Sequence, residues 1–258
     1  MSNKLEKVDS HIQMPKCVLK NFVNEHQSFY YYDVAESKIK MNRPKSLNAQ
    51  NGYYSIQVER MLQQMVESPL GDKLKYVKDN DFCKPIDVPH DFKDIIMTYI
   101  HSLIARAPHM YGTIEKNTIY LQFLNDLTET DKHDLAVELV LEEAKNNSPF
   151  KDYIATMLVN KTGVPLLLPM CGMYSCGDFI CAPISLNRAI ALVKQDSNLC
   201  NKLIDGELCK VLMVENETVL HQMNRFAIQA EIRHNKQYVV SVDKALLETY
   251  LKEMYLIQ

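Results

Sequence analysis

Apolar residues recur along this chain at two spacings, and each spacing predicts its own kind of element. Met14, Val18, Leu19 and Phe22 fall at three- and four-residue steps, which predicts a short helix to about Val23. Pro15 suits its first turn, where the missing N–H would have no partner anyway. Phe29-Tyr30-Tyr31-Tyr32 and Lys38 to Met41 predict a β-hairpin turning near Glu36. Asn51-Gly52 signals a turn, and Ser55 is a good N-cap for a helix carrying Val58, Met61, Leu62, Met65 and Val66. Ser68-Pro69 predicts a kink or restart, because proline removes a helical hydrogen bond and clashes with the preceding turn. Leu70, Leu74 and Val77 continue the stripe. Asp81 to Pro89, with two prolines, reads as a connector. Asp91 then caps the strongest helix, in which Phe92, Ile95, Ile96, Tyr99, Ile100, Leu103 and Ile104 cover nearly every face. That helix is predicted to be central and to end at Arg106-Ala107-Pro108.

Two further helices are expected, about Thr130 to Asn146 and about Ser148 to Val159, the second with Pro149 at its first position. From Val164 the pattern changes to short β-like runs: Val164 to Leu168, Phe179 to Ile184 and Ala189 to Val193. A helix from Asn216 to His234, a strand from Tyr238 to Val242 and a last helix capped by Asp243 complete the chain. No repeat or low-complexity linker divides it. The expected fold class is α+β, one domain over residues 1–258. It would hold an N-terminal helix and hairpin (11–45), a largely helical core (55–160) and a mixed part with a small set of strands (164–258).

Composition narrows the function classes. The net charge of -3 and pI near 6.2 disfavour broad, non-specific nucleic-acid binding, which calls for a basic surface. Residues 1–10 are polar and lack the apolar core of a signal peptide. The longest apolar run, Val164 to Met170, falls far short of the roughly 20 residues that span a bilayer, so no membrane partner is expected. Seven cysteines without a disulfide-like spacing suit a reducing compartment, and the protein is expected in the cytoplasm. With only 7 glycines, a Gly-rich phosphate loop is not expected. Composition leaves the cofactor unknown, and it leaves room for a protein partner or a homo-oligomer.

The candidate chemistry lies mainly in the first 106 residues. His11 precedes a predicted helix N-terminus, where it would act as a general base or sit beside a bound anion. Alternatively its ring packs on the hairpin. Lys16 and Lys20, four apart, share a helix face and would bind an anion or form a solvated pair. Glu59 and Glu67 lie two helical turns apart, about 12 Å, too far to share a proton. With His11 they would form an acid–base or metal constellation, or else pair with Arg60, Lys73 or backbone groups. Arg106 follows a buried helix and would bind carboxylate or phosphate through its fork, or cap the helix C-terminus. Cys171, Cys176 and Cys181 have four residues between neighbours, a poor spacing for structural zinc, so buried thiols and no metal are expected.

The ordered set His11, Pro15, Lys16, Leu19, Phe22, Tyr54, Ser55, Glu59 and Glu67 resembles the domain-of-unknown-function 4238 family, whose members are mostly bacterial. Arg106-Ala107-Pro108, Ala182-Pro183-Ile184-Ser185 and Asn224 to Ser241 extend the resemblance over most of the chain. Many members carry a Ser/Thr-Asp-Asn-Pro stretch before the Pro-Ile/Leu-Ser strand. Here Leu168 to Ser175 contains no acid. The family name implies no activity. The residues themselves suggest two readings. One is an enzyme, such as a hydrolase, acting on an anionic substrate that is phosphorylated or derived from nucleic acid. In that reading His11, Glu59 and Glu67 are catalytic, and Lys16, Lys20 and Arg106 bind the anion. The other is a non-catalytic binding or regulatory module whose polar residues knit the N-terminal part to the core.

Overall fold

A computed structural model describes residues 9–47, 49–79, 91–107, 127–146, 148–203 and 210–257. Strand β1 (Asp9–His11) pairs antiparallel with β4 (Ala49–Asn51), and between them lie helix α1 (Lys16–Leu19) and the hairpin β2 (Phe29–Asp33) and β3 (Lys38–Asn42). Helix α2 (Ile56–Leu62) starts at Ser55, whose side chain accepts the Val58 N–H. A π turn, Gln63–Glu67, joins it to α3 (Ser68–Asp79). There the Ser68 N–H bonds the Gln63 carbonyl, five residues back. The wider turn lies just ahead of Pro69 and lets the helix continue, where the sequence predicted a kink or a restart. Helix α4 (Phe92–Ala105) buries Tyr99 and Ile100 completely. Asp91 makes no capping bond there and instead accepts from Lys73 Nζ at 2.6 Å. Helix α5 (Glu129–Asn146) packs on α4.

The second half supplies strands β5 (Tyr153–Asn160), β6 (Leu168–Pro169), β7 (Tyr174–Ser175), β8 (Phe179–Ser185), β9 (Arg188–Lys194) and β10 (Val211–Val214). Helix α6 (Glu217–Ala230), strand β11 (Tyr238–Ser241) and helix α7 (Lys244–Glu253) follow, with Asn216 and Asp243 as side-chain N-caps. Among the described residues the larger sheet has five strands in the order β10-β5-β9-β8-β7, with only β10 and β5 parallel. A four-stranded sheet, β3-β2-β11-β6, joins the N-terminal hairpin to the C-terminal half.

The larger sheet is buried on both faces. Met157, Val159, Ile190 and Leu192 pack with Leu19, Leu70, Tyr99 and Ile100 from α1, α3 and α4. Leu158, Ala189, Ala191 and Val193 pack with Met223, Ala227 and Leu251 from α6 and α7 on the opposite side. Alternate residues of one strand therefore enter different cores. This corrects the expected fold: the centre is a mixed sheet with helices on both faces, not a helical core with a small set of strands. It also corrects the helix expected from Ser148 to Val159, most of which is β5. A strand covered on both faces loses its polar-apolar alternation and reads as a continuous apolar run. The strand expected from Val164 shrinks to β6. The Asp81 to Pro89 connector lies outside the described residues, as does Pro108. No described helix is long and apolar enough to cross a membrane.

Candidate functional site

The β1-β4 pairing sets His11 opposite Ala49. Just beyond β4, Gly52 takes a positive φ of 71°, which glycine adopts without steric cost, and the chain turns into α2. Helix α5 clamps this turn. Tyr53 stacks on His133 at 3.8 Å, the Thr130 hydroxyl donates to the Gly52 carbonyl at 3.0 Å, and the Ser55 N–H donates to Asp134 at 3.0 Å. The Tyr54 hydroxyl donates to the Ile12 carbonyl at 3.0 Å, which fixes the strand carrying His11 against the helical layer.

Behind Tyr54 lies the Glu67–Arg106 pair. Both terminal nitrogens of Arg106 donate to Glu67 Oε1 at 3.1 Å. The Arg106 side chain is 0% exposed and that of Glu67 is 20% exposed. Arg106 Nε is buried and has no hydrogen-bond partner among the described residues. Around this pair stand the half-buried Cys17 and the buried Tyr54 and Tyr99. Burial pushes the Cys17 thiol up to about 12, and the Glu67 carboxylate adds to that shift while Arg106 opposes it. Burial likewise raises the phenols of Tyr54 and Tyr99, against the pull of Arg106. Glu59 also acts on Tyr54 as a raising charge.

The sequence-predicted set thus divides. Glu67 and Arg106 are in direct contact, Glu59 lies within electrostatic reach of Tyr54, and His11 adjoins the residue whose carbonyl Tyr54 binds. Lys16 is half-buried at the start of α1, beside Cys17. Lys20 is exposed and lines a separate cleft. That cleft, about 890 Å³, lies between the segment following α1, helix α3, the loop after β5 and the β8-β9 turn. Its volume is in the range of small-molecule sites, about 300–1,000 Å³. Lys20 and Arg188 bring two cations to it, with Glu25 as the single lining carboxylate among the described residues. Arg188 Nε is buried and unpartnered among the described residues, while its Nη1 donates to the Asn187 carbonyl at 3.0 Å. Asn21 Nδ2 donates to the Ile184 carbonyl at 3.0 Å and ties the segment after α1 to β8. Nothing in the sequence singles out Arg188, a lone arginine at the start of an apolar strand.

Two buried networks in the C-terminal half also escaped the sequence. Glu231 is fully buried and accepts the Cys171 and Gln237 N–H groups, each at 2.9 Å. The Tyr250 hydroxyl lies 2.6 Å from His221 Nδ1 and accepts from Asn224 Nδ2 at 3.2 Å. Both are engaged by protein groups and belong to the frame. Cys171, Cys176 and Cys181 stand around Tyr174, with thiols that burial pushes up. Among the described residues no group of three or more His, Cys, Asp or Glu is arranged to hold a metal ion.

No protein-family model, no curated protein and no solved structure matches the chain. The resemblance to the domain-of-unknown-function family rests on the sequence motifs that carry it.

Proposed function

We propose that this protein binds a small anionic ligand in the cleft beside Lys20 and Arg188, and that the Glu67–Arg106 cluster frames the site without taking part in it. The observation behind this reading is the pair of cationic side chains lining one concave site, one of which, Arg188, has an Nε–H that no described residue uses. Charge-assisted hydrogen bonds to an anion contribute about 1.5–3 kcal/mol each. By contrast, a guanidinium whose side chain is 0% exposed and engaged by Glu67 offers a ligand no approach. Calorimetric titration with inorganic phosphate and small carboxylates tests the proposal. Saturable binding that weakens about tenfold or more in Arg188→Ala is the expected result. Binding of equal strength in wild type and in Lys20→Ala/Arg188→Ala would refute it.

A second reading, catalysis on an anionic substrate, has its own support. Glu67, Arg106, Tyr54 and Cys17 gather next to the strand bearing His11, and Arg106 Nε has no described partner. In this reading His11 is the base, Glu59 and Glu67 orient it, and Lys16 and Arg106 bind the anion. It requires that His11→Ala abolish turnover while leaving the melting temperature within a few degrees. A large loss of stability assigns His11 to the frame.

A further inference from the structure

We infer that the ligand of the Lys20–Arg188 cleft is an anion on an aliphatic body, a fatty-acid-like carboxylate or an alkyl phosphate, and not a nucleotide or a sugar phosphate. This inference rests on the anion-binding reading above and specifies its ligand.

Most of the polar lining is already spent on the protein itself. Asn24 Oδ1 accepts from the backbone N–H groups of His26 and Ser28, at 3.0 and 3.1 Å, and from the Ser28 hydroxyl at 3.1 Å. Asn160 Oδ1 accepts from the Thr162 N–H at 2.9 Å and its hydroxyl at 2.8 Å, while Nδ2 donates to the Val164 carbonyl at 2.7 Å. Asn21 donates to the Ile184 carbonyl, and the Ser185 hydroxyl donates to Asn187 Oδ1 at 3.2 Å. Glu25 is exposed and lies 3.4 Å from His26. Once these groups are committed, the two cations are the strongest donors left to a ligand.

The rest of the lining decides the body that the anion carries. Val23, Leu74, Val77, Val164, Ile184 and Leu186 contribute aliphatic surface, and among the described residues no aromatic side chain lines the cleft. Nucleobases are typically held by stacking on aromatic rings, and the polar edges of bases and sugars need matching donors and acceptors. A site built to receive hydroxyls leaves its polar groups uncommitted, because their loss of water must be repaid by the ligand. An aliphatic chain needs neither rings nor acceptors. It gains from burying its methylenes against aliphatic walls, while its head group needs donors only.

Isothermal titration calorimetry on the full chain tests this with five probes: decanoate below its micelle concentration, decylamine, inorganic phosphate, a hexose monophosphate and adenosine monophosphate. Decanoate is expected to bind at least tenfold tighter than the three phosphates, and decylamine is expected not to bind. Arg188→Gln should weaken decanoate tenfold or more. Leu186→Asn should weaken decanoate and leave inorganic phosphate unchanged. Lys20→Gln, at an exposed position, serves as the charge test if Arg188→Gln does not fold. Tighter binding of the hexose or adenosine phosphate would overturn the aliphatic class and leave the anion site standing. Equal binding of decylamine and decanoate, or decanoate binding unaffected by Lys20→Gln and Arg188→Gln, would overturn both.

Discussion

Arg106 carries a full charge with its side chain 0% exposed, and Glu67 is its described partner. Removing one member of such a pair leaves the other charge buried and costs about 3–5 kcal/mol. Glu67→Ala should therefore lower the unfolding free energy by about that amount in chemical denaturation, and Glu67→Leu/Arg106→Met should recover much of the loss. A Glu67→Ala protein within about 1 kcal/mol of wild type would show that the pair is not part of the frame. The thiols give a second check. Burial pushes Cys17 and Cys181 up to about 12, so neither should react with a thiol reagent at pH 8 until the protein unfolds. Rapid labelling of either in the native protein would contradict their described surroundings. At this scale the sequence was informative where a residue had to be special in any fold. A charged residue closing an apolar helix, as Arg106 does, needs an anion or a carboxylate. That the carboxylate is Glu67 was not legible, because it depends on the π turn ahead of Pro69 and on the packing of α3 against α4. Arg188 was not legible because its setting is made by elements distant in sequence.

The elements divide by how many of their faces are buried. Helices α5 and α6 and the capped start of α7 each bury one face and keep a polar one; the course of α5 and α6 was readable from periodicity and the start of α7 from Asp243. Strand β5 buries both faces, so it lacks the two-residue alternation that marks a strand in sequence. Leu158, fully buried on the α6 side of that strand, should cost about 2–5 kcal/mol when replaced by alanine. Denaturant unfolding measures it, and a cost below about 1 kcal/mol would argue against β5 as a central strand. The joint between α4 and the loop ahead of β5 has a pH signature. His101 Nε2 lies 3.1 Å from the Ser148 hydroxyl, its ring stacks on Phe150, and burial lowers its pKa. The unfolded chain, with an ordinary histidine pKa of about 6.5, then binds a proton that the native state resists. Stability is full above that value and falls as the pH drops below it. Thermal melts from pH 7.5 down to pH 5 should show a decline that is smaller in His101→Phe. Identical profiles would remove His101 as its source.

For the whole molecule, the larger sheet is the divider between two cores, and the first of them contains residues from Met14 to Val240. The N-terminal helices, the hairpin and the C-terminal sheet therefore support one another. Ile100→Asp, fully buried in that core, should abolish cooperative folding, since an unpaired buried charge costs several kcal/mol. A folded variant with an almost unchanged melting temperature would contradict the buried position of Ile100 on α4. The same assembly keeps two groups of cations apart: Arg106 closed inside the helical layer, Lys20 and Arg188 open on the cleft. The most direct test of this division is a crystal of the protein soaked in an anion with an anomalous signal, bromide or selenate. The anomalous peak is expected in the cleft, beside the Arg188 guanidinium and Lys20 Nζ. A peak at Arg106, or none in the cleft, would contradict the account.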